Sequence, residues 1–374
     1  MLKRSMICLA IFSFLSPSIL AQDADFEKYL QQREAEFEEF AQVRMSEFDE
    51  FIARWQAAEQ TYRDEIAQHW ETVEVSSKTK YVEYSDNHQQ RTIVDYETNQ
   101  ITIEIKQDLV QQSDEVLDTA QQQLSRLSTT QVSEAIKRDP VRRMAGISDG
   151  ALDDSKATLL NADEIEFTAD DLEVQEANGI TRLTLRLPTD LASRRATEAL
   201  PQVNYEAERW NLSPALILAI MHTESSFNPL ARSPVPAFGL MQIVPQSAGR
   251  DVTEFLTGEQ RLLSPDYLYD PELNIEAGSV YLYMLYNRYF NGVTDERSRW
   301  YLSIAAYNTG PGNVARTLTG KNNLQAARER ANQMSSQAVY EHLIQHLPAN
   351  ETRLYLQKVT ERETFYQQQL GITI

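Results

Sequence analysis

Ser213-Pro214-Ala215-Leu216-Ile217-Leu218-Ala219-Ile220-Met221-His222-Thr223-Glu224-Ser225-Ser226-Phe227-Asn228-Pro229 is the stretch on which the fold of this chain turns. Serine followed by proline opens a helix. The serine oxygen can accept an early amide, and proline at the first helical position lacks only an N–H that would go unpaired anyway. Pro229 closes the segment, because proline breaks the helical hydrogen-bond ladder. Between these signals the side chains are apolar on every side, so the pattern predicts a buried helix over 213–226. Glu224 falls in its last turn, with the core on one side and a cleft on the other. Low dielectric and the negative end of the helix dipole both oppose its ionisation. A carboxyl that keeps its proton near neutral pH is suited to general-acid work such as protonating a glycosidic oxygen.

Outward from that helix, length and charge set the frame. The 374 residues allow two domains behind an export signal. Lys3 and Arg4 precede an apolar run over 6–15, and Ser16-Pro17 and Ile19-Leu20-Ala21 follow, so residues 1–21 are expected to be a signal peptide cleaved after Ala21. The single cysteine, Cys8, lies inside that apolar run and is too early for a lipid-attachment site, which leaves no disulfide, thiolate nucleophile or Cys-ligated zinc. The net charge of −20 is uneven: residues 22–191 carry 37 acidic against 17 basic side chains, and 192–374 carry 18 against 16. Nucleic-acid binding needs clustered Lys and Arg, so it is excluded as a function.

The fold class read from this pattern is α+β, an N-terminal α+β accessory domain followed by a mainly α catalytic domain. Residues 22–71 are expected to be an amphipathic helical segment, one long helix or two, with Phe26, Leu30, Phe37, Phe40, Phe48, Phe51, Trp55, Tyr62, Ile66 and Trp70 at helical spacing. Periodicity then switches to two over 72–191. Short strands are expected at Val73 and Val75, Val82 and Tyr84, Ile93-Val94, and Ile101, Ile103 and Ile105, and a further hairpin turns at Ala177-Asn178-Gly179. Helices are expected over 109–127 and 131–137. From 192 to 374 the chain reads as helix, loop, helix: 200–210, 213–226, 245–256, 275–287, 296–309, 311–319, 338–346 and 352–370.

Four separated segments carry the chemistry: Glu224-Ser225-Ser226-Phe227-Asn228-Pro229, Phe238-Gly239-Leu240-Met241-Gln242-Ile243, Ala305-Ala306-Tyr307-Asn308-Thr309-Gly310-Pro311-Gly312 and Glu351-Thr352-Arg353-Leu354-Tyr355. In order and spacing they resemble the signature segments of the soluble-type lytic murein transglycosylases, whose catalytic domain is goose-lysozyme-like. The stretch Thr79-Lys80-Tyr81-Val82-Glu83-Tyr84-Ser85-Asp86 looks like the N-terminal domain of the C-type membrane-bound members of that family. Those members are anchored through a lipidated cysteine, which this chain lacks. The expectation is therefore a periplasmic enzyme, peripheral to the outer membrane at most.

The resemblance implies Glu224 as the one general acid and then base. It cleaves the β-1,4 bond between N-acetylmuramic acid and N-acetylglucosamine, and the muramyl 6-hydroxyl closes to a 1,6-anhydro sugar without water. A tethered hydroxyl acts at high effective concentration, so no second carboxylate is required, and none is obvious in the four segments. Tyr355 matches the tyrosine that orients the acid. Ser233, Met241 and Gln242 match residues of the sugar groove: the Gln amide both donates and accepts, and Met offers an adaptable apolar contact. Tyr307 and Asn308 match the third segment and are expected to bind substrate, although an Asn before Thr309-Gly310 can equally cap a helix. Gly239, Gly310, Gly312, Ser225 and Phe227 are expected to be structural, while Pro236 and Phe238 stand where relatives carry smaller residues.

No cofactor or metal is expected. The pair His342 and His346 lacks a zinc motif, and the Asp153-Asp154 and Asp170-Asp171 runs lack calcium-loop spacing. The expected partners are peptidoglycan glycan strands, with envelope proteins meeting the N-terminal domain. Two other functions stay open from sequence: a hydrolytic muramidase, which needs a second carboxylate, and a non-catalytic wall-binding scaffold.

Overall fold

The computed structural model describes residues 49–106, 113–147, 157–160, 168, 171–188, 191–234 and 237–371. Phe51–Ile374 forms one compact unit. The expected signal peptide, Pro236 and the helical pattern over 25–48 lie outside the described residues. Helix α1 (49–67) buries Trp55, Ala58, Tyr62 and Ile66, a single stripe at three- and four-residue spacing.

Five strands make one antiparallel sheet: β1 (Lys80–Tyr84), β2 (Gln90–Asp95), β3 (Gln100–Ile105), β4 (Leu172–Ala177) and β5 (Ile180–Arg186), in the order β1-β2-β3-β5-β4. The register lines up Tyr81, Val94, Ile101 and Leu185 across four strands, and all four are buried. A one-residue slip would turn that row to the other face, so burial sets the register. Asn178 (φ 54°) and Gly179 (φ 73°) make the tight turn their sequence requires, both in the left-handed region.

One expected strand is absent. Val73 and Val75 belong to no ladder. Their segment spends its backbone on side chains and on the helical domain: the Glu74 amide donates to the Tyr84 hydroxyl (3.3 Å), and the Ser77 carbonyl accepts from Arg232 N–H (3.4 Å). Beside the sheet lie α2 (Ser113–Thr129), α3 (Val132–Arg138) and the short α4 (Pro140–Met144).

The helical part comprises α5 (Leu191–Trp210), α6 (Pro214–Ser225), α7 (Arg250–Thr257), α8 (Pro265–Tyr269), α9 (Pro271–Met284), α10 (Glu296–Thr309), α11 (Pro311–Thr319), α12 (Leu324–Ala331), α13 (Ser336–His346) and α14 (Asn350–Gln369). Single π-turns precede α7 (Pro245–Gly249) and follow α9 (Leu285–Tyr289). Caps explain most of the starts. Ser213 accepts from Leu216 N–H, Asp270 from Leu273 N–H and Asp295 from Ser298 N–H, and proline opens α6, α8, α9 and α11. Helix α5 begins well before the expected 200, since Pro201 lies inside it rather than at its start, and burial of Arg195, Ala196 and Val203 carries the helix through.

Helix α6 is the buried centre, with α14 packed along it. The helices beside the sheet also lock onto the helical part. Arg142 binds Asp266 (2.8 and 3.0 Å), and Trp55 stands edge-on to Phe238 with ring centroids 5.3 Å apart. No described helix is long and apolar enough to cross a membrane.

Candidate active site

Helix α6 ends abruptly at its catalytic candidate. Ser226 (φ 51°) and Phe227 (φ 62°) are successive left-handed residues without being glycine, each costing about 1 kcal/mol or more. Ser225 holds the bend: its Oγ lies 3.0 Å from the Met221 carbonyl and 2.8 Å from the Leu240 carbonyl, and accepts Phe227 N–H at 3.1 Å. The sharp exit leaves Glu224 at the border of the core, only 5% exposed. Burial pushes its carboxyl up to about 7, against the opposing pull of Lys78 and of the Tyr355 hydroxyl, while Glu351 adds a further upward push. A group poised there holds its proton for roughly half the time at neutral pH, which is where acid and base roles can alternate.

Tyr355 comes from α14, packed along α6, and its hydroxyl is buried beside Glu224. The two bear on each other's protonation, yet the hydroxyl completes no hydrogen bond of good geometry among the described residues. A buried donor without a partner is costly, and a neighbouring carboxyl or a bound sugar oxygen would relieve it. Tyr307 enters from α10, and its proton is committed: the hydroxyl donates to the Met241 carbonyl at 3.0 Å. It is thus tied to the loop that carries Met241 rather than free as a donor.

That loop, 238–243, is held by a residue the sequence did not flag. Asn274 of α9 is fully buried and donates to the carbonyls of Phe238 (2.9 Å) and Leu268 (2.7 Å), while accepting Met241 N–H (2.7 Å). In the sequence it reads as one polar position near a helix start. Gly239 (φ 76°) is obligatory, since a Cβ there would stand 2.1 Å from the Leu268 carbonyl oxygen. Gln242 also has a positive φ (49°), and its amide nitrogen is spent on the carbonyls of Ala231 and Gly239, each at 3.0 Å. Its Oε1 is buried without a partner among the described residues, so the expected donor-and-acceptor role is reduced to an acceptor.

Met241 departs from its expected place in the groove. Its side chain is 0% exposed and packs on Gly278, where a Cβ would come within 2.3 Å of the sulfur. Closed to solvent, it supports the loop and presents no face to a sugar. Ser233 is likewise occupied, its Oγ accepting Ala237 N–H (3.2 Å) across the loop stem. Asn308 behaves differently. Gly310 caps α10 instead of it, and the Asn308 side chain is half-buried with no hydrogen bond among the described residues. Phe238 is buried among Phe51, Trp55 and Tyr269, so it shapes the packing of α1 rather than the site.

The accessory domain supplies a side chain that the sequence did not single out. Lys78 Nζ lies 3.7 Å from Glu224 Oε2 and 3.5 Å from Glu351 Oε1. Asn228 Nδ2 donates to the carbonyls of Ser77 (3.3 Å) and Lys78 (3.2 Å), clamping that segment onto the chain just after α6. Glu351 is therefore a second carboxylate at the site, where the sequence reading counted none, although it is largely exposed and shares its ammonium with Glu224. No sequence signal marks Lys78, because only folding brings residues 78 and 224 together.

Burial and the Arg362 guanidinium hold His222 down to about 3, so it stays neutral, with Nδ1 3.0 Å from the Tyr366 hydroxyl. His342 and His346 stack on each other, and His342 faces the Thr317 carbonyl. No metal-holding cluster occurs among the described residues.

Residues 201–329 match the transglycosylase SLT domain, and residues 48–120 match the N-terminal domain of membrane-bound lytic murein transglycosylase C. The chain is 33% identical over 313 residues to membrane-bound lytic murein transglycosylase C of Haemophilus ducreyi, covering 78% of this chain and 80% of that protein. It is 42% identical over 191 residues to the same-named protein of Pectobacterium atrosepticum, covering 50% of this chain and 52% of that one. The 70 kDa soluble lytic transglycosylase of Escherichia coli, a solved structure, shares 30% identity over 45% of this chain and 24% of its own, with a TM-score of 0.34. With a relative 33% identical over about four fifths of both chains and two domain models of the family matched in order, the chain belongs to the lytic murein transglycosylase family, in company with the membrane-bound C-type enzymes.

Proposed function

We propose that Glu224 performs both proton transfers of the transglycosylase reaction on peptidoglycan. Its protonated carboxyl donates to the glycosidic oxygen as the bond from the muramyl anomeric carbon breaks. The muramyl 6-hydroxyl oxygen then bonds to that carbon, and its proton returns to the Glu224 carboxylate. The acid is regenerated, no water is consumed and the product is a 1,6-anhydro end. One observation carries this assignment: a carboxyl 5% exposed and held near 7 by burial, at the end of a buried helix. Within this scheme Tyr355 orients the carboxyl. The unpartnered Gln242 Oε1 and the free Asn308 amide contact the sugars, and Tyr307, Met241 and Ser233 shape the loop that presents them.

Glu351 makes a hydrolytic side reaction worth testing, since a second carboxylate is what water activation needs. It is largely exposed, and its Oε1 lies 3.5 Å from the Lys78 ammonium. Mass spectrometry of digested sacculi separates the two chemistries. Products one water lighter than hydrolysed muropeptides, abolished by Glu224→Gln, support the assignment, and reducing muramic acid ends lost in Glu351→Gln would replace it.

We further place the protein in the periplasm, with the accessory domain facing glycan strands and envelope proteins. The export signal expected over 1–21 and the membrane-bound naming of the relatives support this location. Cell fractionation that recovers the protein in the cytoplasm would refute it.

A further inference from the structure

Among the described residues a single cation meets the catalytic carboxyl directly, and it comes from the segment ahead of the sheet. Lys78 stands 3.7 Å from Glu224 Oε2 and 3.5 Å from Glu351 Oε1, with its side chain 36% exposed. Its backbone does not drift. Asn228, four residues beyond Glu224, donates to the Ser77 and Lys78 carbonyls, and Arg232 N–H donates to Ser77 as well. The segment following α6 thus seats the lysine, and the strand-like stretch that failed to join the sheet is the one that delivers it.

We propose that Lys78 is a positioning residue of the active site: its ammonium, bridged between Glu224 and Glu351, holds the catalytic carboxylate in place between its acid and base turns. The accessory domain thereby completes the catalytic centre instead of only steering the enzyme. This rests on Glu224 being the acid. When Glu224 gives up its proton, a charge appears in a buried site, and an adjacent cation offsets the cost of that charge. The other groups facing Glu224 cannot do so. From α14 come Tyr355, neutral, and Glu351, of like charge. Arg362 is engaged with the His222 carbonyl and Thr223 Oγ1, and from α10 comes Tyr307, neutral and bound to Met241. His222 on α6 itself is neutral. Glu351 acts as a counterweight, drawing the ammonium outward.

The test is the pH profile of turnover on soluble glycan strands of defined length, for the full-length enzyme and its variants. Lys78→Met is expected to lower kcat about tenfold with little change in KM, and to move the alkaline limb upward by about one pH unit. Lys78→Arg should restore most of the rate. Glu351→Gln should move the limb the opposite way, because it removes a like charge and frees the ammonium for Glu224. A Lys78→Met profile that overlays the wild type, or a Glu351→Gln limb that moves upward, overturns the proposal. Activity in Glu224→Gln would instead overturn the assignment of the acid itself, a different result from either.

Discussion

Tyr307 and Met241, 66 residues apart, are joined by one hydrogen bond of 3.0 Å from the phenol of α10 to the main-chain carbonyl of the loop 238–243. Through it a residue of the third signature segment fixes the second. Tyr307→Phe keeps the ring against Tyr281 and removes only that bond. The expected cost is about 1 kcal/mol in chemical denaturation, together with a several-fold rise in KM as the loop loosens. Unchanged KM with unchanged stability would show that the bond does not position the loop.

Glu224 carries a stability signature as well as a catalytic one. Its carboxyl ionises in the unfolded chain near the ordinary value of 4.5 but only near 7 in the native state. The native protein therefore holds a proton that the unfolded chain releases. The associated stability is fully present below pH 4.5 and is lost as pH rises through 7. Glu224→Gln removes the ionisable group, so its melting temperature should exceed the wild type by an amount that grows from pH 5 to pH 7 and then levels off. The difference at the plateau corresponds to about 3 kcal/mol at most. A melting difference independent of pH would contradict the elevated value.

Tyr355 should separate activity from stability. Its hydroxyl is buried without a well-formed partner among the described residues, so Tyr355→Phe removes a group that contributes little to folding. Stability within about 0.5 kcal/mol of wild type, with turnover down about tenfold or more, is the expected pair of results. Full turnover in this variant would remove Tyr355 from the catalytic group.

The loop that carries Gln242 depends on space as much as on bonds. Gly239→Ala places a Cβ 2.1 Å from the Leu268 carbonyl at a positive φ, and Asn274→Ala strands the Met241 N–H and the Leu268 carbonyl while leaving the Phe238 carbonyl with only its Ile243 N–H. Each is expected to destabilise the fold by about 3 kcal/mol or more, readable as a shift in the urea midpoint. A mild effect at Gly239 would mean that the loop can open away from α8.

Peptide order and side-chain pattern alone determined a great deal here. Helix α6, its serine cap, its proline start and its buried acid follow from twelve consecutive residues, since caps and apolar runs act over a few positions. The Asn178-Gly179 hairpin and the alternating strands were equally local. Tertiary structure alone decided the rest. Val73 and Val75 had the spacing of a strand but join no ladder; beside them Glu74 pairs with the Tyr84 hydroxyl, and the Ser77 carbonyl accepts from Arg232 N–H of the helical part. Met241 had the chemistry of a groove residue, but the absence of a side chain at Gly278 let it sink into the core. Lys78 and Asn274 are ordinary polar residues until folding places one against Glu224 and the other under the loop. Local sequence sets which element forms and which face is apolar. Which polar atom meets which depends on contacts between positions more than thirty to nearly one hundred and fifty residues apart, and only the packed chain specifies those.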